Sequence, residues 1–210
     1  MKGWEPFREL LIWGDWHCHT TYTDGENTVQ EMCEQAVKNN LKLIAFTDHV
    51  RRDLDYDFNL LLRDIDAARK EFPNLKILSG CEAKVMDTEG SLDVTSDVMK
   101  KCDIVIGSFH GFPLAEKAEF LLAIKNMIRN HNIDVWGHPT ALLHDYEIQV
   151  TKKEADPLIE LCKKHSVLVE RNTKYPETAW VSDRALELGA DVVFSSDAHS
   201  IKGLRKLRKL

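Results

Sequence analysis

Short apolar runs recur along this chain at roughly regular intervals, and polar or helix-patterned segments separate them. The runs are Leu10-Leu11-Ile12-Trp13, Leu43-Ile44-Ala45-Phe46, Ile77-Leu78, Ile104-Val105-Ile106, Ile133-Asp134-Val135-Trp136, Val167-Leu168-Val169 and Val192-Val193-Phe194. Runs this short and this apolar fit strands buried on both faces, although periodicity alone does not separate a buried strand from a helix fragment. The intervening segments decide the matter. Between Thr28 and Asn39, the residues Val29, Met32, Cys33, Ala36 and Val37 recur at helical spacing, with Glu31 and Glu34 on the other face. Phe58 to Phe72 and Glu116 to Arg129 repeat the pattern. Strand, loop, helix, strand is the grammar of right-handed βαβ units. The spacing therefore predicts an α/β barrel of parallel strands, and the runs number seven rather than eight.

The chemistry sits at the ends of these runs. His17 and His19 close the first, His49 the second, Glu82 the third, His110 the fourth and His138 the fifth, while Asp197 and His199 close the last. Ligands scattered so evenly meet only if the fold brings every strand end to one face, as a parallel barrel does. His17 and His19, two apart on one strand, are expected to share a face, and Asp24 follows in a loop short enough to fold back over them. Imidazole mixed with carboxylate suits zinc, iron or manganese rather than calcium. Nine such residues exceed what one ion takes; two or three ions fit, with a bridging carboxylate.

Composition sets wider limits. With 210 residues and 43% hydrophobic content, one substantial core in a single domain spanning 1–210 is the default. No apolar stretch approaches a membrane span, and Met1 to Pro6 makes a poor signal peptide, so a cytoplasmic protein is expected. A net charge of −6 gives no global attraction to nucleic acid. The five cysteines are odd in number and contain no C-x-x-C pair, which argues against a disulfide framework or zinc ribbon. Cys18 and Cys81 adjoin candidate ligands but should face the helices, because neighbours on a strand point to opposite sides.

Taken together, His17-Cys18-His19 with Asp24, Thr47-Asp48-His49, Glu82 in Gly80-Cys81-Glu82-Ala83, His110, Gly137-His138-Pro139 and Ser196-Asp197-Ala198-His199 resemble the PHP (polymerase and histidinol phosphatase) family. The resemblance implies a distorted seven-stranded (β/α)7 TIM-like barrel and a centre of three divalent ions, zinc, manganese or iron. It implies that His17, His19, Glu82 and Asp197 bind one ion. Glu82 then bridges to a second ion held with His110 and His138, and Asp24, His49 and His199 hold the third. Glu82, Asp197 and Asp24 are the expected catalytic carboxylates. The implied activity is metal-dependent phosphate ester hydrolysis, in which closely spaced ions neutralise phosphate oxygens and activate water. A small phosphomonoester, histidinol phosphate among the candidates, is the expected substrate. A nuclease acting on DNA or RNA ends and a metal-stabilised interaction module are the alternatives. A barrel amidohydrolase is disfavoured by the absence of a bridging lysine at a strand end.

Several residues near the strand ends have two readings. Arg171 carries the fork that clamps phosphate, yet alternation turns it outward. Lys84 shares a predicted face with Glu82, where it meets substrate phosphate or stays a solvated loop lysine. Asp15 precedes His17 by two and is read either as a support for a ligand imidazole or as a strand-end cap. Arg51 and Arg52 read as phosphate contacts or as a self-paired surface. His144 reads as a surface histidine, a general acid or a substrate contact, and His131 and His165 as helix-terminal residues. Residues 202–210 are basic with leucines every third position, and a closing helix packing Leu204 and Leu207 on the barrel is expected.

Overall fold

A computed structural model describes residues 2–113, 116–130 and 133–208. Parallel strands alternate with helices as the patterning predicts. The strands are β1 (Gly14–Cys18), β2 (Leu43–Phe46), β3 (His49–Val50), β4 (Lys76–Lys84), β5 (Ile104–Ser108), β6 (Val135–Trp136), β7 (Leu168–Asn172) and β8 (Val192–Ser195). Between them lie α1 (Val29–Lys38), α2 (Phe58–Glu71), α3 (Ser96–Met99), α4 (Lys117–Arg129), α5 (Ala141–Asp145), α6 (Lys152–His165) and α7 (Ala179–Glu187). The pairing order is β1-β2-β4-β5-β6-β7-β8, all parallel. Strand β3 continues β2 against β4 in unchanged register, Phe46 facing Ser79 and His49 facing Glu82. The barrel is thus a nearly closed ring of seven staves, a distorted (β/α)7 barrel.

Alternation divides the core in two. Leu43, Ala45, Leu78, Ile104, Ile106, Val135, Leu168 and Val193 fill the barrel interior with Trp4, Leu11 and Trp16. Ile44, Phe46, Ile77, Val105, Trp136, Val169 and Val192 face the helices. The helices begin where side chains satisfy their free N–H groups: Thr28 caps α1 and Thr151 caps α6, each in a reciprocal box with a glutamate three residues on. All five cysteines are free, and Cys18 and Cys81 lie in the helix-facing core. No described helix is long and apolar enough to cross a membrane.

Three departures from the sequence reading bear on the site. The first apolar run is not a strand. Glu5–Leu10 form a 3-10 helix and β1 begins at Gly14, so Trp4 and Leu11 floor the barrel. Strand β1 also carries a bulge, because Asp15 pairs with Ile44 while Cys18 pairs with Phe46. The extra residue reverses alternation. Asp15 therefore leaves the face of His17, on which it was expected. Finally, the expected closing helix is absent among the described residues: 205–208 run without regular structure, although Leu204 is buried and Leu207 packs against the core.

The β1–β8 seam is closed by side chains rather than by a full ladder. One bridge joins Cys18 to Ala198, and the Phe194 amide donates to the Leu11 carbonyl at 3.1 Å. Asp15, fully buried, accepts from the Ser196 amide at 2.9 Å, the Ser196 hydroxyl at 2.5 Å and the Arg205 amide at 2.9 Å. The Arg205 guanidinium donates to the carbonyls of Gly14, Phe194 and Ile12.

Candidate metal centre

Each candidate ligand is delivered by the C-terminal end of a stave. The β1 bulge turns His17 inward, and His19 follows, its amide bound to the Ala198 carbonyl at 2.9 Å. The loop after His19 returns Asp24 over the strand end. Gly25 permits this, because a Cβ there would lie 2.6 Å from the His19 carbonyl oxygen. Asp48 fixes the same loop, with Oδ1 accepting from the Thr20 amide and hydroxyl at 2.9 Å and from the Thr23 hydroxyl at 2.8 Å. His49 sits beside Glu82 by strand register. His138 and Asp197 occupy positive φ, 24° and 52°. Such backbone costs on the order of 1–3 kcal/mol for residues other than glycine and is concentrated at functional sites.

Glu82 is the hub. Its Oε1 lies 2.7 Å from His110 Nε2 and 2.8 Å from His138 Nε2. Its Oε2 lies 3.0 Å from His49 Nδ1, 3.4 Å from His17 Nε2 and 3.5 Å from His19 Nε2. Asp197 Oδ1 is 3.1 Å from His19 Nε2. Asp24, 53% exposed, reaches His199 Nε2 at 3.2 Å and His49 Nε2 at 3.4 Å through Oδ2. Burial alone would raise the Glu82 carboxyl, yet the charge of His17 and the hydrogen bonds from His110 and His138 hold it well below the usual carboxylate range. Asp197 is likewise held low against its burial by His17 and His19. Burial works against a charge on His17, but Glu170, Glu82 and Asp197 together raise it well above the usual imidazole value.

The residues fit divalent metal. Six buried atoms of the set meet no hydrogen-bond partner: His17 Nε2, both nitrogens of His19, His49 Nδ1, Glu82 Oε2 and Asp197 Oδ1. Buried polar atoms are rarely left unpaired, so six in one cluster of imidazoles and carboxylates mark a place built for cations. Three groups have ligand atoms within 4.8 Å of one another: His19, Asp24, His49 and His199; His17, His19 and Glu82; and His49, Glu82 and His110. His19 belongs to two of these groups, whereas the resemblance gave it to one ion alone. All nine candidates converge, and His138 joins through Glu82.

A search against family patterns matches the PHP domain over residues 15–174. The chain belongs to the PHP family. It is 31% identical over 210 residues to the DNA polymerase/3'-5' exonuclease PolX of Bacillus subtilis (strain 168), a match covering 94% of this chain but 36% of the polymerase. It therefore spans little more than a third of that relative's length. A probable phosphatase of Caldanaerobacter subterraneus subsp. tengcongensis is 30% identical over 206 residues, covering 95% of this chain and 80% of that protein. Among solved structures, histidinol phosphate phosphatase of Lactococcus lactis, complexed with zinc, L-histidinol and phosphate, superposes with a TM-score of 0.70. The match covers 89% of this chain and 86% of the other at 20% identity, a likeness of fold.

Around the candidate ligands stand further residues, to which the sequence reading gave no role. Glu170, on the inner face of β7, accepts from His17 Nδ1 at 2.8 Å and from the His138 amide at 2.5 Å. A carboxylate on Nδ1 keeps the proton there and leaves Nε2 to coordinate. This is the imidazole support sought at Asp15, which instead serves the seam. Inner alternation along Leu168, Glu170 and Asn172 was the available signal. Asn172 donates to Glu170 at 3.2 Å, and Lys174 pairs with Asp197 Oδ2 at 3.1 Å. The ring of Tyr175 lies 5.1 Å from that of His138.

Arg171 is not brought to the centre. It points outward to Asp183 and Ser182 on α7, as the residue between two inward neighbours must. Lys84 stands on the Glu82 face of β4, its backbone opposite Ser108 of β5. Arg51 is tied to the Val50 carbonyl at 2.6 Å and lies 3.8 Å from Asp93, and the Arg52 amide also donates to Asp93. His144 is exposed on α5, and His165 ends α6. His131 lies outside the described residues.

Proposed function

We propose that the chain hydrolyses small phosphomonoesters with three divalent ions held at the barrel mouth. In this reading His17, His19, Glu82 and Asp197 hold one ion. Glu82, His110 and His138 hold a second, and Asp24, His49 and His199 a third, with zinc, manganese or iron all suited to the donors. The observation that carries it is the set of six buried, unpartnered nitrogen and oxygen atoms on these residues. When bound, the ions supply positive charge to phosphate oxygens and acidify water for in-line attack. The chain's own residues prepare that place. Glu82 and Asp197 stay ionised although buried, Glu170 fixes the tautomer of His17, and the interior packing of Trp16, Leu78 and Ile106 closes the barrel beneath. Asp24, on an exposed loop, completes the centre from the solvent side.

The likeness in fold to a histidinol phosphate phosphatase and the similarity to probable phosphatases support a small phosphorylated substrate, with histidinol phosphate a candidate. A second reading, hydrolysis at a DNA or RNA end, is favoured by the 31% identity to a polymerase whose name includes an exonuclease. The test is phosphate release from a panel of monoesters, including histidinol phosphate and nucleotides, with and without manganese and a chelator, beside end-labelled oligonucleotides. Chelator-sensitive turnover of one monoester is expected. Shortening of the oligonucleotide with no monoester turnover selects the second reading. Metal-loaded protein inert on every substrate sinks both.

A further inference from the structure

Strand β7 and the bend that follows it carry three alternate residues toward the centre, and each does something different there. Glu170 holds the His17 ring, Asn172 holds Glu170, and Lys174 reaches the carboxylate of Asp197. The backbone carrying the lysine is pinned. The Thr173 amide donates to the Ser195 carbonyl at 2.9 Å, and the Lys174 amide donates to Asn172 Oδ1 at 2.9 Å. The side chain is different: it is 43% exposed and rises from that fixed stem to a carboxylate that is 2% exposed. The two oxygens of Asp197 have separate surroundings. Oδ1 faces His19 and His17 and meets no hydrogen-bond donor, while Oδ2 faces the Lys174 ammonium. The ammonium also lies 5.6 Å from the ring of Tyr175, which packs beside His138. Arg51, at the other side of the mouth, is engaged by Asp93 and the Val50 carbonyl.

Building on the phosphomonoesterase reading, we infer that Lys174 is a substrate-binding residue that selects a terminal phosphate dianion over a diester. Its ammonium is a compact charge with three donors on a flexible arm. Once cations share the charge of Asp197, the ammonium is free to turn from Oδ2 to a phosphate oxygen within reach of the same spot. A phosphomonoester carries close to two negative charges at neutral pH and exposes three terminal oxygens, whereas a diester carries one charge and buries an oxygen in its second ester bond. A rim ammonium therefore adds more to the first than to the second.

The experiment uses metal-loaded wild-type protein with Lys174→Met and Lys174→Arg. Bound metal is measured by elemental analysis and inorganic phosphate affinity by calorimetry. Values of kcat/KM are compared for p-nitrophenyl phosphate and bis-p-nitrophenyl phosphate. Lys174→Met is expected to retain its metal, to bind phosphate about ten- to a hundredfold more weakly, and to lose more monoester than diester turnover. Lys174→Arg recovers part of the phosphate affinity. Unchanged phosphate affinity, loss of metal in step with activity, or equal losses on both esters would each overturn the inference and leave Lys174 a support for Asp197. A wild-type protein that binds phosphate but cleaves no ester sinks the proposed function, while the calorimetric comparison still judges the lysine.

Discussion

Two buried polar networks meet at the β1–β8 seam, and they are finished to different degrees. Around Asp15, both carboxylate oxygens have donors, and the Arg205 guanidinium is spent on three backbone carbonyls. Around Glu82 and Asp197, a few residues away, charges gather and donors run short. The first network is complete within the chain and serves shape. The second is incomplete within the chain and serves a ligand. Burial is the same in both, so burial alone does not separate structural from functional carboxylates; the tally of unmet hydrogen-bonding atoms does.

Substitutions should divide along the same line. Glu82→Gln has the largest expected effect, a loss of kcat/KM of about a thousandfold or more, as follows from several kcal/mol of lost charge stabilisation. Metal content should fall with it, while the melting temperature of the metal-free protein holds or rises. A metal-free protein that unfolds on this change would make Glu82 structural. Asp15→Ala should do the reverse. Removing the carboxylate strands three donors, at about 1–3 kcal/mol for each that stays buried, read in urea unfolding of metal-free protein. Protein that does fold should keep its metal. Glu170→Gln lies between the two, with metal affinity expected to weaken by about 10–100-fold through the lost support of His17, checked by competition with a chelator of known affinity. Arg171→Gln should matter least. Its pair with Asp183 is partly exposed and is worth at most about 1 kcal/mol, and activity should stay within twofold; a larger loss would return Arg171 to the substrate.

Much of this division was legible in the chain. The seven runs, the helical segments between them and the acids and histidines at their ends specify a parallel barrel with a polar mouth, because strand alternation and βαβ connection leave few other arrangements. The legible part stops where a residue's role depends on one irregular step. The bulge in β1 changes the direction of Asp15 without changing composition or spacing. The role of Glu170 is not legible because its partners, His17 and His138, are distant in sequence. Arg205 is one of several basic residues near the end of the described chain, and only the open seam selects it. Local pattern reports which face a residue shares with its neighbours; it does not report what stands across a gap in the ring.

The side-chain closure of that ring has a consequence for the order of events in folding. Strands β1 to β7 can pair with neighbours already present, as each βαβ unit follows the last. The seam joins Gly14 and Asp15 to Phe194, Ser196 and Arg205, among the longest separations in sequence that the fold contains. Contacts so far apart bear the greatest loop-closure cost and form late. Asp197 and His199 arrive on the same segment. In that order of events a growing chain holds most of the barrel before all its candidate ligands are in place.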